Sequence, residues 1–281
     1  MSDSGTIYIV STPIGNLEDI TLRAIRILGE VDLVAAEDTR HTGKLLAHLG
    51  LKTRMVSYHD ATESRRAPEL LDRVRAGLNL ALVSDAGTPL VADPGYRLVA
   101  LAAAEGLRVV PVPGASAPLT LLAASGLPTD RFRFVGFLPA RAKARRDAIA
   151  SVRDDSDTVV VFETARRLPA ALADLAEILG DRPAVVGREL TKKYEEIQRG
   201  SLIALEKSFR ERSTIRGEIV IAIGRAEVQP DVSLRLEEAQ VLLTRRLAEG
   251  ESPSRAARAV ADQLQLPRRE VYRLAHGGEK T

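Results

Sequence analysis

The chain has 281 residues, with 40 Lys and Arg against 38 Asp and Glu, four His and no Cys. The missing thiols exclude disulfides, thiolate catalysis and sulfur-ligated zinc, and the longest apolar run, 98–104, is too short to cross a bilayer. The length fits two domains with a small appendage, and no basic, apolar leader opens the chain, so a cytoplasmic protein with no membrane association is expected.

From the start to residue 224, short β-branched runs alternate with amphipathic helical stretches. Runs at 7–11, 33–36, 55–58, 80–84 and 109–112 predict strands, with helices such as 22–28 and 96–105 between them. Pro113, Gly114 and Pro118 interrupt the pattern and put a seam at 114–126. Runs at 132–137, 158–162, 185–188, 196–200 and 219–223 predict further strands, and a helix over 169–179 stops at Gly180. This alternation predicts an α/β class: two α/β domains with mainly parallel sheets, over 1–116 and 117–230.

Beyond Gly224 the strand signal ends. Helices are expected at 236–247, at 255–264 with Ser252 as cap and Pro253 at its first position, and at 268–276, ended by Gly277. Ala257, Val260, Ala261, Leu264, Val271 and Leu274 fall on one face, so 231–281 reads as a helix-turn-helix unit or as a small dimerisation cap. Arg245, Arg246, Arg255, Arg258, Arg268, Arg269 and Arg273 crowd this tail and favour nucleic acid. Arg141, Lys143, Arg145 and Arg146 form a second basic patch.

Ligands of parallel α/β sheets bind beyond the carboxyl ends of the strands. The five first-half strands are followed by Thr12 to Asn16, Glu37 to His41, His59-Asp60, Ser84 to Gly95 and Pro111 to Pro118, all small, polar or charged stretches on one edge. Gly87, Gly95 and Gly114 leave room for a ligand against the backbone, and Ser116 and Ala117 are small enough to flank a flat group. Asp85 either meets a ligand or caps its own turn. There is no G-x-x-x-x-G-K-[ST], no G-x-G-x-x-G after the first strand and no G-x-S-x-G; His41, His48, His59 and His276 form no zinc pattern, and no metal is expected.

Seven segments, TPIGNLEDIT, AEDTRHT, SYHD, SDAGTPLVADPGYRLV, VVPVPGASA, GLPTDRFRFVGFLP and GRELTKKYEE, closely resemble in order and spacing the ribosomal RNA small-subunit methyltransferase I family. That family lies in the tetrapyrrole-methylase-like class of S-adenosylmethionine enzymes. The resemblance covers roughly 6–224, and the tail is similar to the family's helix-turn-helix extension. It implies S-adenosylmethionine folded between two α/β domains. Pro13 would lie against it, and Ala86, Gly87 and Thr88, with Val91, would wrap its methionine portion. Ser116 and Ala117 match the small pair after the fifth strand, and Glu163, Leu190 and Glu218 match positions bordering the adenosine. Asp85 is placed to offset the sulfonium charge. The wider class usually has Gly-Asp-Pro where this chain has Gly87-Thr88-Pro89, a departure that favours RNA over porphyrin substrates.

The reaction so implied is methyl transfer to the ribose 2′-hydroxyl of a cytidine in 16S rRNA of the small ribosomal subunit, by a homodimer. A hydroxyl needs a base or a strong positioning contact. Glu37, Asp38, His59 and Asp85 stand at the right strand ends, with Arg40 as a phosphate or ribose anchor. Each has a plainer role open to it: Glu37 or Asp38 as a cap of the helix 39–49, His59 as a loop contact. Two other readings stand beside this one: a tetrapyrrole or protein side-chain methylase of the same fold, and a non-catalytic helix-turn-helix protein whose α/β part senses a metabolite.

Overall fold

In the computed structural model, residues 4–226, 232–264 and 266–275 are described, with backbone alone for 232–235. His276 and Gly277, the expected end of the last helix, lie outside them. The chain divides into two units, Met1–Ala226 and Glu227–Thr281.

In the first half, strands β1 (Thr6–Val10), β2 (Leu33–Ala36), β3 (Met55–Ser57), β4 (Leu80–Val83) and β5 (Arg108–Val112) alternate with helices α1 (Leu22–Glu30), α2 (Thr39–His48), α3 (Asp60–Arg75) and α4 (Tyr96–Ala104). All five strands pair in parallel, in the order β3-β2-β4-β1-β5. Because helices cover both faces, β2 and β4 are buried at every position. Leu33 and Ala35 pack with α3 and α4, while Val34 and Ala36 pack with α1 and α2. The neighbours β1 and β4 send their connections in opposite directions across the sheet. That is a topological switch point, and it opens a crevice at their carboxyl ends.

The second half contains α5 (Ala117–Ser125), β6 (Phe132–Phe137), α6 (Ala142–Ala150), β7 (Thr158–Thr164), α7 (Leu168–Leu179), β8 (Pro183–Arg188), β9 (Glu196–Ser201), α8 (Leu202–Arg210) and β10 (Glu218–Ile223). Its sheet order is β6-β7-β10-β8-β9. The expected parallel pairing holds only for β6 and β7; the other three pairs are antiparallel. The physical reason lies in the connections. Residues 189–195 are too few for a crossover helix, so β9 returns beside β8 as a hairpin. Strand β10 inserts antiparallel between β7 and β8, which run the same way because α7 crosses over between them. The segment 114–126 lies between the last strand of the first sheet and the first of the second, and it carries α5. Pro118 sits in the first turn of α5, where its missing N–H has no helical partner to lose.

Ile14, from the loop after β1, is buried with Leu121 and Leu122 of α5 and with Val160, Val185, Val220 and Leu190 of the second half. One apolar side chain thus joins the two sheets. In the second unit, α9 (Val232–Ala248), α10 (Pro253–Leu264) and α11 (Arg268–Ala275) close over Ala239, Leu243, Ala256, Ala257, Val260, Ala261, Leu266 and Val271. Among the described residues no helix is long and apolar enough to cross a membrane.

Candidate functional site

Three loops at the carboxyl edge of the first sheet are tied into one rim. Thr12 N–H donates to Gly87 O at 2.8 Å, and Gly87 N–H donates back to Thr12 O at 3.0 Å. Gly87 is left-handed, with φ of 80°. Ser11 Oγ lies 2.9 Å from Thr88 Oγ1, which also donates to Ala115 O at 3.2 Å. Gly114 has to be glycine on space alone, since a Cβ there would lie 2.7 Å from Ser11 Cβ. Further along the β4 loop, Leu90 (φ 72°) and Ala92 (φ 67°) are left-handed without being glycine. Backbone strain of this kind collects at functional sites, and here it flanks Val91 and Asp93.

A cavity of about 330 Å³ lies between this rim and the second sheet. The structure brings together there Glu37, Asp85, Ala86, Gly87, Thr88, Val91, Ser116, Ala117, Glu163 and Glu218. Pro13 instead lines a neighbouring cavity, also about 330 Å³, and Leu190 is 6% exposed in the apolar layer with Ile14. Asp38, Arg40 and His59 line neither.

The second sheet supplies the opposite wall. A bulge between Phe134 and Gly136 shifts the register of β6, and Phe137 then meets Phe162 at 5.2 Å between ring centroids. Both rings line the cavity. Glu163 beside them has a fully buried side chain. Its Oε1 accepts from Thr164 N–H at 2.7 Å and lies 2.5 Å from Arg167 Nε, while its Oε2 has no partner among the described residues. A buried carboxylate oxygen left open in a cavity wall is a ready acceptor for a ligand N–H or O–H.

The first-half carboxylates are wired together across β2 and β4. Asp85 N–H donates to Glu37 Oε2 at 3.2 Å, and Asp85 Oδ1 accepts from Asp38 N–H at 3.0 Å. Burial pushes the Glu37 carboxyl up, aided by the charges of Asp85 and Asp60 and opposed by the Asp85 N–H. Asp93 is pushed up to about 6, first by burial and then by the charge of Glu37, against a hydrogen bond with Ser84. Asp38 faces other duties. It caps α2 by accepting Arg40 N–H at 2.8 Å, and the Arg40 guanidinium at 2.6 Å holds it well below the usual carboxylate range. Arg40 itself is 87% exposed. His59 starts α3, its backbone N–H donating to Thr62 Oγ1 at 3.1 Å.

Among the lining residues to which the sequence assigns no individual role are Asp93, Phe137 and Phe162. Asp93 lies inside the segment SDAGTPLVADPG, ten positions after the end of β4, with the left-handed Leu90 and Ala92 in between. The patch 141–146 is less open than its sequence implies. Arg145, 8% exposed, is paired with Asp174 at 2.7 Å, and Arg146 bridges Asp174 and Glu177. In the tail, Arg245, Arg246, Arg255, Arg268 and Arg273 each have an acidic partner, mostly on the solvent side, where such pairs are weak and leave the cations open to exchange.

A family model described as Tetrapyrrole (Corrin/Porphyrin) Methylases matches residues 6–206. Solved structures with the same fold include a diphthine synthase, at TM-score 0.60 and 17% identity over 78% of this chain and 90% of that one. Another is a uroporphyrin-III-C-methyltransferase from Thermus thermophilus, at TM-score 0.56 and 21% identity over 79% and 95%. At these identities the likeness speaks for the fold alone, which is that of the tetrapyrrole methylase class. A relative from Micromonospora olivasterospora, named Ribosomal RNA small subunit methyltransferase I, is 47% identical over 96% of this chain and 86% of its own length. One of the same name from Escherichia coli O157:H7 is 44% identical over 98% and 96%. Within the class, the chain belongs to the ribosomal RNA small subunit methyltransferase I family.

Proposed function

We propose that this protein uses S-adenosylmethionine to methylate the 2′-hydroxyl of a cytidine ribose in 16S ribosomal RNA of the small subunit. The observation that carries the reading is one cavity with two unlike ends: an aromatic wall beside a buried carboxylate with an open oxygen, and a rim of carboxylates at strand ends. The names of the nearly full-length relatives support the RNA substrate.

The residues fit the cofactor. Phe137 and Phe162 offer a flat apolar face, Glu163 Oε2 a free acceptor, and Ser116 and Ala117 room beside them. The volume suits a single small ligand. Glu37 and Asp85 place negative charge at the rim, suited to a cation. When bound, S-adenosylmethionine supplies a methyl group on a positively charged sulfur. The chain itself must then hold the ribose oxygen in line, about 3 Å from its target, and take the hydroxyl proton. Asp38 is a poor acceptor, since Arg40 and the start of α2 hold it ionised. Asp93 suits the role of base, because it lines the cavity and a carboxyl near 6 is ionised at neutral pH yet basic enough to accept a proton. In this reading the lobe 1–116 carries the rim, the lobe 117–230 closes the cavity, and the helices of 231–281 meet RNA, in a cytoplasmic homodimer.

The test is transfer of labelled methyl from S-adenosylmethionine to small subunits lacking the modification, with the product nucleotide mapped. A single 2′-O-methylcytidine is expected. Label on a base, on protein, or on nothing sinks the reading.

A further inference from the structure

A second cavity adjoins the first, and the function proposed above leaves its basic side chains without a role. It shares Ile14, Asp85, Ala86 and Glu218 with the first cavity, so the two chambers adjoin across the β4 loop. Its own walls bring three basic side chains together: His41 and Lys44, one turn apart on α2, and Lys192 from the β8–β9 loop.

The placement of Lys192 is built with some care. Glu189 (φ 52°) and Thr191 (φ 64°) are both left-handed without being glycine. Thr191 N–H donates to Glu195 Oε2 at 2.6 Å, and Thr191 Oγ1 accepts from Asn16 N–H at 3.1 Å, which docks this loop on the one after β1. Gly15 lies under the lysine stem: a Cβ there would come 2.4 Å from Lys192 Cγ. Lys192 Nζ then sits 2.9 Å from Glu189 Oε1 and 3.1 Å from Glu218 Oε2, so two carboxylates already satisfy its charge. Lys44 differs. It is exposed, and among the described residues it has no ion pair.

RNA chemistry says what such a neighbour is for. The 2′-oxygen sits on C2′, and the 3′-phosphate hangs by O3′ from the next carbon, C3′. A ribose that offers its 2′-hydroxyl to the first cavity must carry its 3′-phosphate into the space directly beside it. Resting on the function proposed above, we propose that the second cavity holds the phosphodiester on the 3′ side of the methylated ribose, with Lys44 as its counter-charge, His41 as a hydrogen-bond donor, and Lys192 as a positioning residue that fixes Glu218 in the wall between the chambers. A lysine is suited to this as a point charge. The arrangement selects an internal nucleotide of a chain over a free nucleoside.

The test measures binding of unmodified small subunits across a salt series for the wild type, Lys44→Ala and the distant exposed control Lys207→Ala, with S-adenosylmethionine affinity followed by calorimetry. Lys44→Ala is expected to weaken subunit binding about tenfold, the size of one charged hydrogen bond. It should also flatten the slope of log K against log salt by about 0.7, the share of one phosphate. Cofactor affinity stays at the wild-type value, and Lys207→Ala leaves the slope alone. On a short RNA with one uncharged methylphosphonate linkage 3′ of the target cytidine, the wild type should lose the same affinity and Lys44→Ala nothing further. An unchanged slope in Lys44→Ala, or equal losses by both proteins on the neutral linkage, overturns the proposal. Methyl transfer by the wild type to the same particles tests the functional reading separately.

Discussion

The two halves of the molecule reach the same cavity by different routes. In the first, every strand is parallel, so each carboxyl end falls on one edge, and Glu37, Asp85 and Ser116 arrive there by topology alone. In the second, a single parallel pair leaves the edge mixed, and the wall is made by a bulge, a buried ion pair and the start of β10. A uniform sheet positions chemistry through its strand order, whereas a mixed sheet does so through local exceptions. The rim should then carry turnover, and the opposite wall should carry cofactor affinity.

The sharpest break of that division is Asp93→Asn. Loss of a general base is expected to lower kcat by about 10²–10⁴-fold while calorimetry finds cofactor affinity unchanged. Initial rates of the wild type should climb as pH rises through about 6, where Asp93 loses its proton, and level off above; the variant's residual rate should lack that limb. The same shift has a stability sign. A carboxyl raised by burial binds its proton more tightly folded than unfolded, so its ionisation costs stability as pH rises from about 4 to about 6. Asp93→Asn should therefore melt above the wild type at pH 7.5 and with it at pH 4.

Next in size is Glu163→Gln on the opposite wall. The substitution keeps the shape but removes the charge, and we expect cofactor binding to weaken about tenfold with kcat little changed. An equal fall in kcat would erase the distinction between the walls. Gly114→Ala tests the rim as a mechanical unit. Its Cβ would meet Ser11 Cβ at 2.7 Å, and overpacking of this kind costs about 1–3 kcal/mol, read by denaturant unfolding. Smallest is Asp38→Ala. The α2 cap is lost, the melting temperature falls modestly at pH 7, and the pH–rate limb stays where it was. Because the Asp38 carboxyl is depressed in the fold, its stabilisation is present above about pH 3.9 and fades as pH falls further, so the gap to the wild type should close in acid.

The sequence was most readable where one periodicity governs. The first-half strands and the polar residues after them follow from short β-branched runs and the carboxyl-edge rule, and so do Gly87 and Ser116. Asp93 escaped because its position depends on the left-handed Leu90 and Ala92, which no periodicity announces. Phe137 escaped because the bulge at Gly136 sets its direction. The pairing of β10 between β7 and β8 was hidden for a related reason: strand patterns carry register only through connections, and the β10 connection is long. Arg145 reads as one of four cations within six positions, and only the fold turns it onto Asp174.

The burial of Ile14 among residues of the second half has a consequence for how the donor molecule gets in and out. Parting the two sheets would drag that isoleucine from Leu121, Leu190 and Val220 into water, at about 1.5–3 kcal/mol for the side chain alone. Traffic is easier through the mouth beside the partly solvated Val91 and Phe137, so exchange of spent for fresh donor should track the mobility of the 88–95 loop and leave the Ile14 contact in place.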